Sequence, residues 1–189
     1  MLDDKTDNSL MAYITDSYAG LVADIGEEIR RLQDLYGNRL RCRRGCDECC
    51  MAFSLLPAEG ALVRVAYDNL PDEEKLVVQR QASGKSRHCP FLIQKQCRIY
   101  QSRPLICRTH GLPIAYVNEE AETIEVSACP VNFPEDAQFT QDGLLFMDPF
   151  NERLAAINYR FVQARGVPLG IRLTIQQIIL NRETSKSTR

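Results

Sequence analysis

Cys42-Arg43-Arg44-Gly45-Cys46-Asp47-Glu48-Cys49-Cys50 places four thiols in nine residues. Cys89, Cys97, Cys107 and Cys129 follow, which accounts for all eight cysteines of the 189-residue chain. Thiolates gathered at short spacing serve soft metals or disulfides. The opening Met1-Leu2-Asp3-Asp4-Lys5-Thr6-Asp7 is acidic and polar, with no basic and then apolar run, so it does not read as a secretory leader. No stretch is apolar for long enough to span a bilayer. The expected location is therefore cytoplasmic, where thiols stay reduced. In that setting the eight cysteines read as metal ligands rather than as staples, and the ordinary alternative for any one of them is a buried thiol.

The nine-residue stretch allows two geometries. As a helix it would bring all four sulfurs within roughly a 100° arc, because successive residues turn by about 100°. As a looped knuckle, Cys46-x-x-Cys49 would form a two-ligand turn eased by Gly45. In both, the neighbours Cys49 and Cys50 point in different directions, so they can serve different metals or only one of them ligates. Arg39, Arg41, Arg43 and Arg44 supply positive charge beside the thiols. That charge would offset an anionic metal–thiolate site, or it is a solvated basic face. An RNA-binding patch is disfavoured because Asp47 and Glu48 interrupt it.

Working outward, Met11, Ile14, Tyr18, Leu21, Ile25, Leu32 and Leu35 recur every three or four residues. They predict an amphipathic helix over 9–36, capped by Asn8-Ser9 and stopped by Gly37-Asn38. Core packing is the preferred reading of that stripe, ahead of a coiled-coil contact. Pro57 begins a helix carrying Leu62, Val63, Val65, Ala66 and Leu70, and Pro71 begins a third with Asp72, Glu73 and Glu74 at its positive end. Ser83-Gly84-Lys85-Ser86 is a loop without the earlier glycine and strand that a phosphate cradle requires. Residues 114–117 and 123–126 form a short hairpin, and 130–148 are irregular. Asp148-Pro149 caps a helix to Arg165 that buries Leu154, Ile157, Phe161 and Val162, with Gly166 as its stop. Thr174 caps a last helix over 175–180. The fold class is mainly α, a small helical domain with a Cys-rich loop region and one short β-hairpin. It reads as one metal-binding domain over residues 1–182, with a long N-terminal helix (9–36), a cysteine region (42–130) and C-terminal helices (148–181). Residues 183–189 are a flexible polar tail.

Hydrophobic content of 44% and charged content of 25% are those of a soluble globular chain with a real core. A net charge of −2 creates no general attraction for nucleic acid or membranes. The absence of tryptophan and 7% aromatic content argue against a base-stacking surface. The expected partner is a metal ion, with neither membrane nor nucleic acid.

The second cysteine group runs Cys89-Pro90-Phe91-Leu92, then Cys97-Arg98-Ile99-Tyr100-Gln101-Ser102-Arg103-Pro104-Leu105-Ile106-Cys107-Arg108, and closes at Cys129-Pro130. With Cys46-x-x-Cys49-Cys50 this paired pattern resembles the zinc- or iron-chelating cysteine-cluster family, the YkgJ-like proteins. That family carries C-x-x-C-x-x-C-C, then C-P-F-L, then C-x-I-Y-x-x-R-P-x-x-C-R. The chain departs from it at Cys42, which three residues rather than two separate from Cys46. The resemblance spans Cys42 to Pro130, and it implies metal chelation by the cysteines. A related cluster occurs in flagellin lysine methylases, where an iron–sulfur centre accompanies the enzyme; no separate methyl-donor domain is visible here.

The ligand candidates are Cys46, Cys49, Cys50, Cys89, Cys97 and Cys107, followed by Cys42 and Cys129. The metal is zinc or iron, with a [4Fe-4S] cluster as one form, since all-sulfur ligation suits both. Eight thiolates could make two Cys₄ zinc sites, or four could hold one cluster while the rest bind a second metal or stay free. His88 and His110 are alternative ligands. Arg103 could donate to a sulfur or a carbonyl beside the site, and Tyr100 is expected to pack with its hydroxyl bonded. No carboxylate pair, Gly-x-Ser-x-Gly or nucleotide loop occurs, so enzyme status rests on the metal alone. The rivals to simple chelation are an iron–sulfur enzyme of the flagellin lysine methylase-like type and a thiol-redox or metal-delivery protein.

Overall fold

A computed structural model describes residues 4–43 and 45–181. Its first element, α1 (Asp4–Tyr36), buries the expected stripe: Ile14, Leu21, Ile25 and Leu32 are inaccessible to solvent and Tyr18 nearly so. Each such aliphatic side chain contributes about 1.5–3 kcal/mol on leaving water. Two details differ from the sequence reading. The helix already includes Asn8 and Ser9, because Asp7 pairs with Arg165 at 2.6 Å and holds the earlier turn against the body. Leu35 is 56% exposed, since in the last turn the neighbouring Tyr36 faces the core instead, packing on Phe133 and donating its hydroxyl to Gly143 O. Gly37, at φ +49°, ends the helix and passes it into a 3-10 turn over Gly37–Arg39.

β1 (Ser54–Leu55) leads into α2 (Pro57–Asp68) and α3 (Asp72–Ser83). α2 has its proline in the first turn as expected. No side chain of its own caps it; Asn158 Oδ1 accepts from Ala58 N–H at 3.1 Å instead. An acceptor from a distant helix thus satisfies a donor that the helix end leaves orphaned. Val63 is buried, whereas Val65 is 48% exposed because it lies on the opposite side of the helix. The chain continues through β2 (Leu92–Ile93), β3 (Gln96–Cys97), α4 (Leu105–Thr109), β4 (Ile114–Asn118) and β5 (Thr123–Ser127). It ends with β6 (Leu145–Phe146), α5 (Asp148–Arg165), β7 (Leu173–Thr174) and α6 (Ile175–Leu180). Gly166 closes α5 in the left-handed conformation, and Thr174 with Gln177 forms a capping box on α6. The expected tail falls outside the described residues.

The mainly α class holds, but the strands exceed a single hairpin. β4 and β5 make the expected one, paired from Ile114↔Ser127 to Asn118↔Thr123. β6 joins β4 in parallel, so the stretch read as irregular contains a strand as well as a 3-10 turn. β1 pairs with β7 and β2 with β3. Among the described residues no helix is long and apolar enough to cross a membrane.

Two hydrophobic clusters result. One packs α1, α5 and part of α2 with Leu105, Leu112, Leu145 and Met147. The other surrounds Phe91 with side chains from α2, α3 and α6, and Cys89 and Cys97 pack against it. Glu59, on α2, is buried. Its Oε1 accepts from Tyr18 O–H at 2.9 Å and from Leu105 N–H at 2.8 Å, which ties α1 and the start of α4 to α2.

Candidate metal centre

The described residues 42–43 and 45–50 are loop and turns, which excludes the helical alternative for them. Cys46 N–H donates to Arg43 O at 2.9 Å and Cys50 N–H to Asp47 O at 3.0 Å, with Gly45 at φ +94°. The two turns bracket Cys46-x-x-Cys49, spanning 43–46 and 47–50 rather than the motif itself. The chain then departs through α2 and α3 and returns beside its starting point. Met51 and His88 form an isolated antiparallel bridge, and Cys89 N–H donates to Cys50 O at 3.0 Å. Two cysteines far apart in sequence become backbone neighbours.

From Cys89 the chain turns at once, with Leu92 N–H bonded to Cys89 O at 3.0 Å. The β2–β3 hairpin then brings Cys97 opposite Leu92. Its two-residue turn is Gln94-Lys95, both with positive φ (50° and 58°). Such a turn usually carries Asn-Gly or Asp-Gly, so the sequence gives no signal for it. Pro104 starts α4, which presents Cys107. Arg103 stacks over the Tyr100 ring with its guanidinium carbon 3.6 Å from the centroid. It donates to Tyr100 O at 3.0 Å and to Cys107 O at 3.3 Å. Of the two roles considered for Arg103, the carbonyl contact is the one present. Tyr100 does not pack inward: it is 56% exposed beneath the arginine.

Cys129 heads a turn in which Asn132 and Phe133 N–H both donate to its carbonyl at 2.9 Å. Asn132, unnoticed in the sequence, joins three segments. Its Nδ2 donates to Cys42 Sγ at 3.2 Å and to Gly111 O at 2.6 Å, and its Oδ1 accepts from Arg41 N–H at 2.8 Å. Gly111, at φ +99°, faces Cys42 so closely that an added Cβ would collide with Sγ. Gly111→Ala is therefore expected to cost about 1–3 kcal/mol in backbone strain alone. It should also displace Cys42, read as a lower melting temperature with faster alkylation of Cys42; an unchanged melt and alkylation rate would refute this.

All eight cysteines are free thiols, Cys42 exposed and the rest half-buried. Every one except Cys129 lines a single cavity of about 730 Å³. His110 lines it too, and α1 contributes a wall through Val22, Gly26, Ile29 and Gln33. Among the described residues no three His, Cys, Asp or Glu side chains stand as a ready-made set of ligands. The sulfurs are nevertheless within electrostatic reach of one another. Cys46, Cys129 and Cys49 act on Cys42, and Cys89, Cys97 and Cys107 act on Cys50.

Burial pushes the Cys89 thiol up to about 11 and Cys107 to about 12. The hydrogen bond between Cys49 and Cys50 splits that pair, holding Cys49 far above the usual thiol range and Cys50 below it. Without a cation Cys49, Cys89 and Cys107 keep their protons near neutrality, so a metal must displace them on binding. The donor set suits that exchange: sulfur is abundant, and the Arg103 charge favours the thiolates of Cys49, Cys97 and Cys107. His88 is exposed, in the backbone bridge to Met51. His110 lies against Phe53, ring centroids 5.0 Å apart, with Nε2 buried and unbonded. Burial lowers its pKa, which leaves a neutral imidazole able to ligate.

Residues 41–130 match the CxxCxxCC family model, described as "Putative zinc- or iron-chelating domain". Comparison with curated proteins and with solved structures gives no match.

Proposed function

We propose that this chain, which carries a CxxCxxCC-family domain over residues 41–130, is a cytoplasmic metal-binding protein that chelates zinc or iron through its cysteine cluster. The observation that carries the reading is the convergence of Cys42, Cys46, Cys49, Cys50, Cys89, Cys97 and Cys107 on one cavity. Cys129, outside that cavity lining but linked to Cys42 through Asn132, completes the proposed ligand set. A closed zinc–thiolate site would tie the short strands and α4 to the helices, whereas thiolate-bound iron would add redox chemistry. Arg103 orients the backbone of Cys107 and places a positive charge beside the sulfurs, and Asn132 holds Cys42 in position.

Elemental analysis and a visible spectrum decide the metal, on protein purified without air and without a metal-affinity tag. Near-stoichiometric zinc without visible absorbance supports a structural role. Iron with acid-labile sulfide and absorbance near ~400 nm supports a cluster. Absence of both metals refutes chelation. Cys49→Ser and Cys107→Ser are each expected to lose metal and lower the melting temperature; unchanged metal content and melting in both would count against these ligands.

A second reading, an iron–sulfur enzyme of the flagellin lysine methylase-like type, is favoured by the breadth of the cavity. Its apolar wall on α1 leaves room beside the sulfurs for a small molecule or a side chain. It predicts a brown, air-sensitive protein.

A further inference from the structure

The eight thiols are not held as one set. Cys42 and Cys129 are joined through Asn132, whose side chain bonds Cys42 Sγ and whose backbone N–H bonds Cys129 O. Cys46 and Cys49 lie in the turns that follow Cys42 directly. This group, called the rim below, contains Cys42, the one exposed thiol of the eight. Cys50, Cys89, Cys97 and Cys107 are held differently. Cys50 O accepts from Cys89 N–H, the β2–β3 hairpin folds Cys97 back toward Cys89, and α4 supplies Cys107. Cys89 and Cys97 pack against the second hydrophobic cluster. Cys42 feels Cys46, Cys129 and Cys49, while Cys50 feels Cys89, Cys97 and Cys107 as well as Cys49, so the two groups touch at Cys49 and Cys50. Cys49 and Cys50 meet in a thiol hydrogen bond at the boundary between the two groups, and the proton it holds leaves when both bind metal.

Resting on the chelation reading above, we propose that the thiols form two separate four-sulfur metal centres. Cys42, Cys46, Cys49 and Cys129 make a rim centre, and Cys50, Cys89, Cys97 and Cys107 make an inner centre, with the Cys49–Cys50 peptide as their shared wall. Four thiolates complete a tetrahedral shell for a divalent ion, so each group suffices by itself. The rim centre, built on loops and open to solvent, exchanges its ion faster than the inner one.

The test is an anaerobic titration of metal-free protein with cobalt(II), whose thiolate complexes absorb visibly, with ions per chain counted after desalting. The wild-type chain is expected to retain about two cobalt ions, in line with four sulfurs per ion. Cys42→Ser/Cys129→Ser should retain about one, with its helical circular dichroism unchanged, and Cys97→Ser/Cys107→Ser also about one. The rim variant decides the matter should the inner variant fail to fold. A rim variant that retains no cobalt, or a wild-type chain that saturates at a single ion, would overturn the two-centre arrangement while leaving chelation intact. A wild-type chain that binds no cobalt would overturn chelation and the arrangement with it.

Discussion

Glu59→Ala is expected to lower the unfolding free energy by about 3–5 kcal/mol, read from urea denaturation with metal content matched. The carboxylate oxygen Oε1 accepts both the Tyr18 hydroxyl and the Leu105 amide. Each bond to a charged acceptor contributes about 1.5–3 kcal/mol, and its loss leaves a buried donor without a partner. Leu105 opens the helix that carries Cys107, so metal affinity should fall as well. Glu59→Gln retains an acceptor and should cost under about 1.5 kcal/mol at neutral pH.

The pH dependence follows from the direction of the Glu59 shift. Burial raises the carboxyl pKa against the opposing effect of the Leu105 and Tyr18 bonds. The folded state then binds its proton more tightly than the unfolded state does. This contribution to stability is complete below the ordinary glutamate pKa of about 4.3 and is lost as pH rises through the raised native value. Wild type minus Glu59→Gln should show that decline across the window, whereas a flat difference, or an alanine variant within 1 kcal/mol of wild type, would remove Glu59 from this role.

The second large effect is that of metal removal, on the chelation reading. A structural thiolate site supplies on the order of 10 kcal/mol of apparent binding free energy, which becomes folding free energy for whatever the metal holds. Here that is β2–β3, α4 and the Cys129 turn. Two-residue strands do not hold themselves in water. Metal removal should therefore accelerate amide exchange at Cys89, Leu92 and Arg98, which bond Cys50 O, Cys89 O and Phe91 O, by about 100-fold or more. The buried turns of α1 around Leu21 and Ile25, in a hydrophobic cluster without cysteines, should keep their protection. Equal acceleration in both regions, or in neither, would contradict this division.

The sequence disclosed whatever has a local period or a local cap. The α1 stripe, the proline start of α2, the Gly166 stop, the Thr174 cap and the β4–β5 hairpin all depend on residues within a few positions of one another. Leu35 was misplaced because a period identifies a face without saying how far the core extends beneath it. The pairings β1–β7 and β4–β6 join short segments far apart in the chain and leave no period to detect. Glu59 was missed because a glutamate in an amphipathic helix normally lies on the wet face; its partners are 41 and 46 residues away. Asn132, 90 residues from Cys42, was hidden for the same reason. The cysteines stood out individually, but which of them converge depends on the Cys50–Cys89 backbone contact, which spacing cannot supply.

That contact divides the chain in a further way. Because Met51 and His88 meet, α2 and α3 form an excursion with a closed neck, and the thiols lie outside it. Length added at its far end, between Asp68 and Asp72, alters the perimeter of the loop without shifting the gate through which the chain re-enters. The same number of residues inserted between Arg87 and Cys89 would pull the gate apart. The helical excursion can thus be lengthened or decorated while the spacing at its neck stays fixed.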